Sequence, residues 1–259
     1  MTDRIRLDGK VALVTGAAGV IGRATIALLA ARGARIVAVD RDTDALHQAT
    51  GALPASAHTL VLTADVTQEN QVAGYVRSAL TSCGRIDVFY NNAGIEGDIT
   101  PIVNTSFDAF RRVLDVNVAG VFLGMKHVLP VMLGQRAGSI INTASIAGLI
   151  GSSDIIAYTA SKHAVIGMTK TAALECGDSG VRVNCVCPGM IDSRMLSAIV
   201  EGRNPGPTPV PSERVAERIP MRRLGRADEV ASIVAFLASD DASYVSGSAY
   251  TVDGGRVAS

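Results

Sequence analysis

Val11-Ala-Leu-Val-Thr15-Gly16-Ala-Ala-Gly19-Val-Ile-Gly22 carries the chain from a short apolar run into a helical pattern. Val11–Val14 is β-rich and too short to be a helix, whereas Ile21–Arg32 keeps helical periodicity. The glycines between them let the turn tighten and let backbone amides approach an anion at the positive end of the helix. A second apolar run, Arg35–Val39, closes on Asp40, 18 residues beyond Gly22. Glycine clusters occur at any tight turn. The strand before this one, the helix after it and the distant carboxylate together predict a dinucleotide site, with pyrophosphate on the helix N-terminus and ribose hydroxyls on the acid.

Outward from this stretch the same alternation continues. Strand-like runs fall at Thr59–Leu62, Ile86–Tyr90, Ser139–Asn142, Val181–Val186 and Ser248–Val252, with helical patterns at Gln68–Ser82, Phe107–Met132, Ala157–Glu175 and Ala227–Ala238. Near-continuous apolar strands are those of a parallel sheet covered on both faces. The expected fold is therefore α/β: a doubly wound parallel sheet of about seven strands, in one domain over residues 1–259. One segment breaks the rhythm. Residues 190–220 show no clear strand, and the prolines of Asn204-Pro-Gly-Pro-Thr-Pro-Val-Pro211 exclude a helix there. Its place after the sixth strand puts this segment at the carboxyl edge of the sheet, so it is expected to be an irregular substrate-lid loop.

Hydrophobic residues make up 48% and charged residues 19%, enough apolar material for a large core. The 24 basic and 24 acidic residues cancel, so bulk charge recruits neither nucleic acid nor an anionic membrane. Cys83, Cys176, Cys185 and Cys187 fit neither a zinc site nor a redox pair, and no cluster has metal-ligand spacing. They are expected to be free thiols in a reducing compartment. No apolar run approaches the ~20 residues that span a bilayer, and the polar start lacks a signal-peptide core; the expectation is a cytoplasmic protein.

Tyr158-Thr-Ala-Ser-Lys162 lies in a helical pattern, with Ser145 thirteen residues upstream. Positions i and i+4 share a helix face, so phenol and ammonium can enter one pocket. A lysine charge about 5 Å away at an effective dielectric of ~20 is worth roughly 3 kcal/mol, or about two pKa units below the usual ~10 of tyrosine. The expectation is a phenol brought close to neutrality for acid/base work, with a serine hydroxyl holding a carbonyl or alcohol oxygen beside it.

These residues resemble the short-chain dehydrogenase/reductase family over essentially the whole chain. The motifs follow in order: the glycine turn, Asp65-Val66, Asn91-Asn-Ala-Gly94, Asn117, Ser145, Tyr158/Lys162, Pro188-Gly189 and Val252-Asp-Gly-Gly255. The resemblance implies a Rossmann-type fold with Tyr158 as acid/base and Ser145 orienting the substrate oxygen. Lys162 would lower the phenol pKa and bind the nicotinamide ribose, while Asn117 would bend its helix and hold a water behind Lys162. For the cofactor it implies Gly16, Gly19, Ile21 and Gly22 at the phosphates and Asp65 and Val66 flanking adenine. Asn92, Ala93 and Gly94 would line the site, with Pro188, Gly189, Ile191 and Ser193 at the nicotinamide. It also implies a homotetramer. Two positions depart from the family pattern: Val20 stands where the turn usually has glycine, with Gly19 one place early, and Ser193 replaces a common threonine.

The expected function is interconversion of a secondary alcohol and a ketone. The carboxylate of Asp40 favours NAD over NADP, although Arg41 beside it can partly neutralise it and admit a phosphate. Apolar candidate walls (Ile95, Ile146–Gly151, Ile155, Met190, Met195, Leu196 and Ile199) suggest a hydrophobic, alicyclic or aromatic substrate. Glu96 is placed either to accept a hydrogen bond from a second substrate hydroxyl or to face solvent. The alternatives are a 3-oxoacyl-(acyl carrier protein) reductase using NADPH, with Arg111 and Arg112 in a docking patch, and a non-catalytic dinucleotide-binding regulator.

Overall fold

The computed structural model describes residues 5–206 and 210–258. Seven parallel strands form one sheet: β1 (Val11–Thr15), β2 (Arg35–Asp40), β3 (Leu60–Thr63), β4 (Val88–Asn91), β5 (Gly138–Thr143), β6 (Val181–Pro188) and β7 (Ala249–Val252). Their spatial order is β3-β2-β1-β4-β5-β6-β7. The chain therefore winds outward from β1 and then returns to build the other half from β4, leaving a crevice at the carboxyl ends of β1 and β4.

The α-helices are α1 (Val20–Ala31), α2 (Thr43–Gly51), α3 (Glu69–Cys83), α4 (Phe107–Leu114), α5 (Gly120–Gln135), α6 (Ile156–Cys176), α7 (Arg194–Arg203), α8 (Ser212–Ala216) and α9 (Ala227–Ala238). Each strand sends alternate side chains to opposite faces, which divides the core in two. Val11, Leu13 and Phe89 face the layer of α3, α5 and α6, with Val76, Met125 and Val165. Ala12, Val14 and Tyr90 face α1 and α9, with Ile26, Leu29 and Val234.

Three sequence expectations need correction. The segment 190–220 is not irregular throughout: α7 and α8 lie within it, and of the proline-rich stretch residues 207–209 fall outside the described residues. The prolines begin only at residue 205, beyond α7, and Ser193 ahead of them caps that helix by accepting from Leu196 N at 3.2 Å. Helix α2 forms where no helix was expected, and its signal is local: Asp42 caps it by accepting from Ala45 N at 3.0 Å. Finally, α4, a π-helical turn at Asp115–Ala119 and α5 run on as one 29-residue helix, long and apolar enough by composition to cross a membrane. Its inner face packs in the core through Val113, Val121, Met125, Val128 and Met132.

Candidate active site

The glycine turn closes with Val20 in place. Gly16 takes φ +63°, and Gly19 N donates to Gly16 O at 3.1 Å. A Cβ on Gly22 would collide with Gly16 O and lie 2.8 Å from Ala17 Cα, so the turn packs directly on the first turn of α1. Gly19 serves as N-cap, so Val20 becomes the first helical residue and leaves its side chain half exposed. No side chain caps α1 and its first turn holds no acid. Its amides, including those of Ile21 and Gly22, are thus available to an anion.

Asp40 ends β2 beside this turn. Its Oδ2 accepts from Ala18 N at 3.0 Å and its Oδ1 from Asp42 N at 3.2 Å, which fixes the carboxylate at the crevice. Arg41 is exposed next to it. Asp65 folds its carboxylate back on Thr67, accepting from N at 2.9 Å and Oγ1 at 2.8 Å. Val66 is buried against Gly120, whose Cβ would lie 2.8 Å from its Cγ2. Both residues thus shape the start of α3 and of α5, whatever else they touch.

The wall after β4 is cross-tied to the turn. Thr15 Oγ1 accepts from Asn92 N at 3.0 Å and Ala93 N at 3.2 Å, and Asn92 Nδ2 donates to Gly16 O at 3.1 Å. Asn92 Oδ1 in turn accepts from Thr143 Oγ1 at 3.1 Å. Neither Thr15 nor Thr143 stands out in the sequence, because a threonine at a strand end has an ordinary structural use. A Cβ on Gly94 would sit 3.2 Å from Asn117 Oδ1 and 3.5 Å from Lys162 Nζ, so backbone here comes right up to the reactive groups.

Asn117 lies within the π-helical turn, which bends the helix as the resemblance implies. Its side chain is held at both ends: Oδ1 accepts from Ile95 N at 2.8 Å, while Nδ2 donates to Ile95 O at 2.8 Å and Ser161 Oγ at 3.1 Å.

Ser145, Tyr158 and Lys162 come together, all buried. The Ser145 hydroxyl lies close enough to the Tyr158 phenol to favour its ionised form. Lys162 Nζ lies 5.4 Å from the Tyr158 ring centroid and donates to Thr143 O at 2.7 Å. The expected near-neutral phenol is not found. Burial pushes Tyr158 up to about 12, with the Ser145 hydroxyl opposing it and the charge of Glu96 adding to the rise. Burial also lowers Lys162 to about 8. Desolvation is the largest influence on both groups, and sequence spacing does not contain it. The protonated phenol is the form that donates to a carbonyl oxygen.

Ala147, Ile155 and Tyr158 form a small apolar cluster, with Ile99 and Met195 packed against it. Ile95 borders the site through its bonds to Asn117. Met190 lines a cavity of about 380 Å³ with Ile191, Ile219, Met221 and Thr251–Gly255. Glu96 is buried and does not face solvent; its carboxylate takes a fork from Arg194, at 2.6 Å from Nη1 and 3.0 Å from Nη2. Burial raises its pKa, but the Arg194 hydrogen bonds, a backbone hydrogen bond and the Arg194 charge together more than offset this and hold it below the usual value. Nothing in the sequence marks Arg194, because its segment reads as irregular.

Beyond β6, a Cβ on Gly189 would lie 2.7 Å from Asp253 Cα. Ser145 Oγ reaches Pro188 O at 3.5 Å, Ile191 is buried, and Ser193 Oγ donates to Ile191 O at 3.0 Å. Pro188 thus lies beside Ser145, and Gly189, Ile191 and Ser193 follow it from the carboxyl end of β6.

The family model described as enoyl-(acyl carrier protein) reductase matches residues 16–256. The chain belongs to the short-chain dehydrogenase/reductase family. It is 39% identical over 256 residues to levodione reductase of Leifsonia aquatica, covering 98% of this chain and 96% of that protein. The crystal structure of levodione reductase superposes with a TM-score of 0.95 over 98% of this chain and 100% of that chain. Cyclohexanol dehydrogenase of Acinetobacter is 39% identical over 96% of this chain and 95% of that protein. A 3-oxoacyl-[acyl-carrier-protein] reductase of Thermotoga maritima is 41% identical over 98% of this chain and 100% of that protein. The fold is that of the family, and the chain is an oxidoreductase acting on CH–OH groups.

Proposed function

We propose that this short-chain dehydrogenase/reductase uses NAD(H) to interconvert a hydrophobic, alicyclic secondary alcohol and its ketone. The observation that carries the reading is the Ser145–Tyr158 hydroxyl pair set beside Lys162 in an otherwise apolar cluster. The likeness to cyclohexanol dehydrogenase supports it.

The residues present fit a dinucleotide. The N-terminus of α1 carries no side-chain cap, which leaves its amides to phosphates, and the tight packing at Gly16 and Gly22 closes the turn beneath them. Gly16, Gly19, Ile21 and Gly22 would hold the pyrophosphate and Asp40 the adenosine ribose. Lys162 would hold the second ribose, with Pro188, Gly189, Ile191 and Ser193 at the nicotinamide. When bound, the cofactor supplies or accepts the hydride. The protein does the rest. Ser145 Oγ orients the substrate oxygen, and Tyr158 Oη gives it a proton in reduction or takes one in oxidation. Lys162 stabilises the phenolate left behind, and the apolar walls exclude water.

NAD is favoured because the Asp40 carboxylate, fixed by Ala18 N, would meet a 2′-phosphate with like charge. A structure of NAD+-bound xylitol dehydrogenase is 37% identical with a TM-score of 0.89, covering 96% of this chain and 99% of that chain. The second reading, a 3-oxoacyl-(acyl carrier protein) reductase using NADPH, rests on the Thermotoga relative. Its docking patch is weakened by Arg112 pairing with Asp98 at 3.0 Å. Initial rates of cyclohexanone reduction with NADH and with NADPH test the choice. The NAD reading expects at least about tenfold higher kcat/KM with NADH, and the reverse preference sinks it.

We also propose a homotetramer, because Phe107, Phe122 and Leu174 stand exposed on α4, α5 and α6. Light scattering giving the mass of a single chain rejects it.

A further inference from the structure

Glu96 lies on the segment that follows β4, and Arg194 opens the helix that follows β6. Between those strands lies β5, and Ser145 follows directly from its carboxyl end. The Glu96–Arg194 ion pair therefore joins the two walls of the cleft across the edge that carries Ser145. Met195, next to Arg194, packs against the cluster containing Tyr158, which brings the start of α7 up to the substrate pocket. The carboxylate is sunk, with its side chain 10% exposed, while the guanidinium above it is 75% exposed. Arginine carries five N–H donors. Two go to Glu96, one from each terminal nitrogen, leaving three for another oxygen.

A contact needed only to secure α7 has other means. At the far end of α7, Arg203 Nη2 donates to Ser152 Oγ at 2.8 Å and Ser153 O at 2.6 Å, and Gly202 packs on Ile99. Burying a carboxylate beside Tyr158 raises the phenol pKa further, a cost to acid/base work that a plain latch does not justify.

Resting on the ketone/alcohol reading above, we propose that Arg194, held in place by Glu96, is a specificity-determining residue that donates to a second oxygen on the substrate ring. The preferred substrates are then ring ketones bearing another carbonyl or hydroxyl remote from the reacting one. The ion pair is already satisfied without substrate, so a ring lacking the second oxygen leaves no buried group unpaired. Discrimination is accordingly modest, about tenfold, rather than the several thousandfold of a site left with an orphan donor.

The test compares kcat/KM for 1,4-cyclohexanedione and for cyclohexanone, with NADH and with NADPH, in the wild-type chain, Arg194→Gln and Arg194→Lys. Taking the ratio of the two ketones within each protein and comparing it across proteins cancels their intrinsic reactivity. The expected result is a ratio about tenfold lower in Arg194→Gln, carried mainly by KM of the dione, and partly restored in Arg194→Lys. An unchanged ratio with both ketones slowed alike overturns the proposal and leaves the pair as a latch for α7. If far-UV circular dichroism shows that Arg194→Gln does not fold, Arg194→Lys decides: its ratio must fall at least about twofold, because an ammonium lacks the planar fork. Turnover of neither ketone by the wild-type chain rejects the ring-ketone reading, and this inference falls with it.

Discussion

On the β1 side of the cleft the main chain makes the site; on the β5–β6 side the side chains do. The turn at Gly16–Gly22 is set by a positive φ, by backbone packed on backbone, and by amides left free at a helix end. Ser145, Tyr158, Lys162, Glu96 and Arg194 are instead brought from four separate elements and held by hydrogen bonds and burial. The two halves should therefore fail differently. Geometry lost in the first removes binding, whereas chemistry lost in the second removes turnover.

The sharpest way to break that comparison is a crossed pair of variants. Tyr158→Phe removes the proton donor and keeps the ring, so kcat should fall by about 10²–10⁴. Its affinity for NADH, read by nucleotide fluorescence, should stay within about threefold of wild type, since one hydroxyl-scale contact is at stake. A Tyr158→Phe protein that still turned over normally would remove the phenol from the mechanism. Gly22→Ala is the converse. Its methyl would run into Gly16 O and lie 2.8 Å from Ala17 Cα, both backbone atoms, so the turn itself must move. NADH affinity should drop by at least about tenfold, or stability by about 1–3 kcal/mol, as for overpacking elsewhere. Unchanged affinity and melting would show that the turn is not the phosphate cradle.

The same division explains what is legible in the sequence. All seven strands, the doubly wound class and the glycine turn follow from period and punctuation, which are local properties. The meeting of Ser145, Tyr158 and Lys162 is readable because i,i+4 spacing fixes two of the three. The Glu96–Arg194 pair is not, since 98 residues separate its partners and a proline-rich stretch disguises the helix that carries one of them. The protonation state of Tyr158 escapes the sequence for a related reason: spacing gives a distance between charges but not the solvent lost around them.

Lys162 offers a smaller effect with an unusual sign. Burial holds its pKa at about 8, against an ordinary 10.5. Between those pH values the unfolded chain binds a proton that the folded chain does not, so this group's contribution to stability rises with pH across the window. Below about pH 8 the full cost of burying the amine stands, up to about 3 kcal/mol by linkage. Lys162→Met should thus abolish turnover yet stabilise the cofactor-free protein at pH 7 by about 1–3 kcal/mol, an advantage that shrinks from about pH 8 to about 10.5. Thermal melts at several pH values check it. A variant less stable than wild type at pH 7 would mean that the bond to Thr143 O outweighs desolvation.

Thr143 is where the two halves touch, and it carries the smallest expected change. Its carbonyl holds Lys162 Nζ while its hydroxyl donates to Asn92, whose amide grips Gly16 O. Thr143→Val keeps the shape and the carbonyl but deletes the hydroxyl, leaving Asn92 Oδ1 without that donor. One hydrogen bond of this kind is worth about 1 kcal/mol, or roughly a fivefold effect. Because the loss enters through the glycine turn, it should show first in KM for the dinucleotide. The pH profile of kcat should stay put, since the carbonyl that holds Lys162 remains. Thr143→Ser, which restores the donor, should recover the wild-type KM. If kcat shifted its pH dependence instead, with KM unchanged, Asn92 would not be the route. The division between a backbone-built nucleotide half and a side-chain-built substrate half would then be too sharply drawn at the one residue that belongs to both.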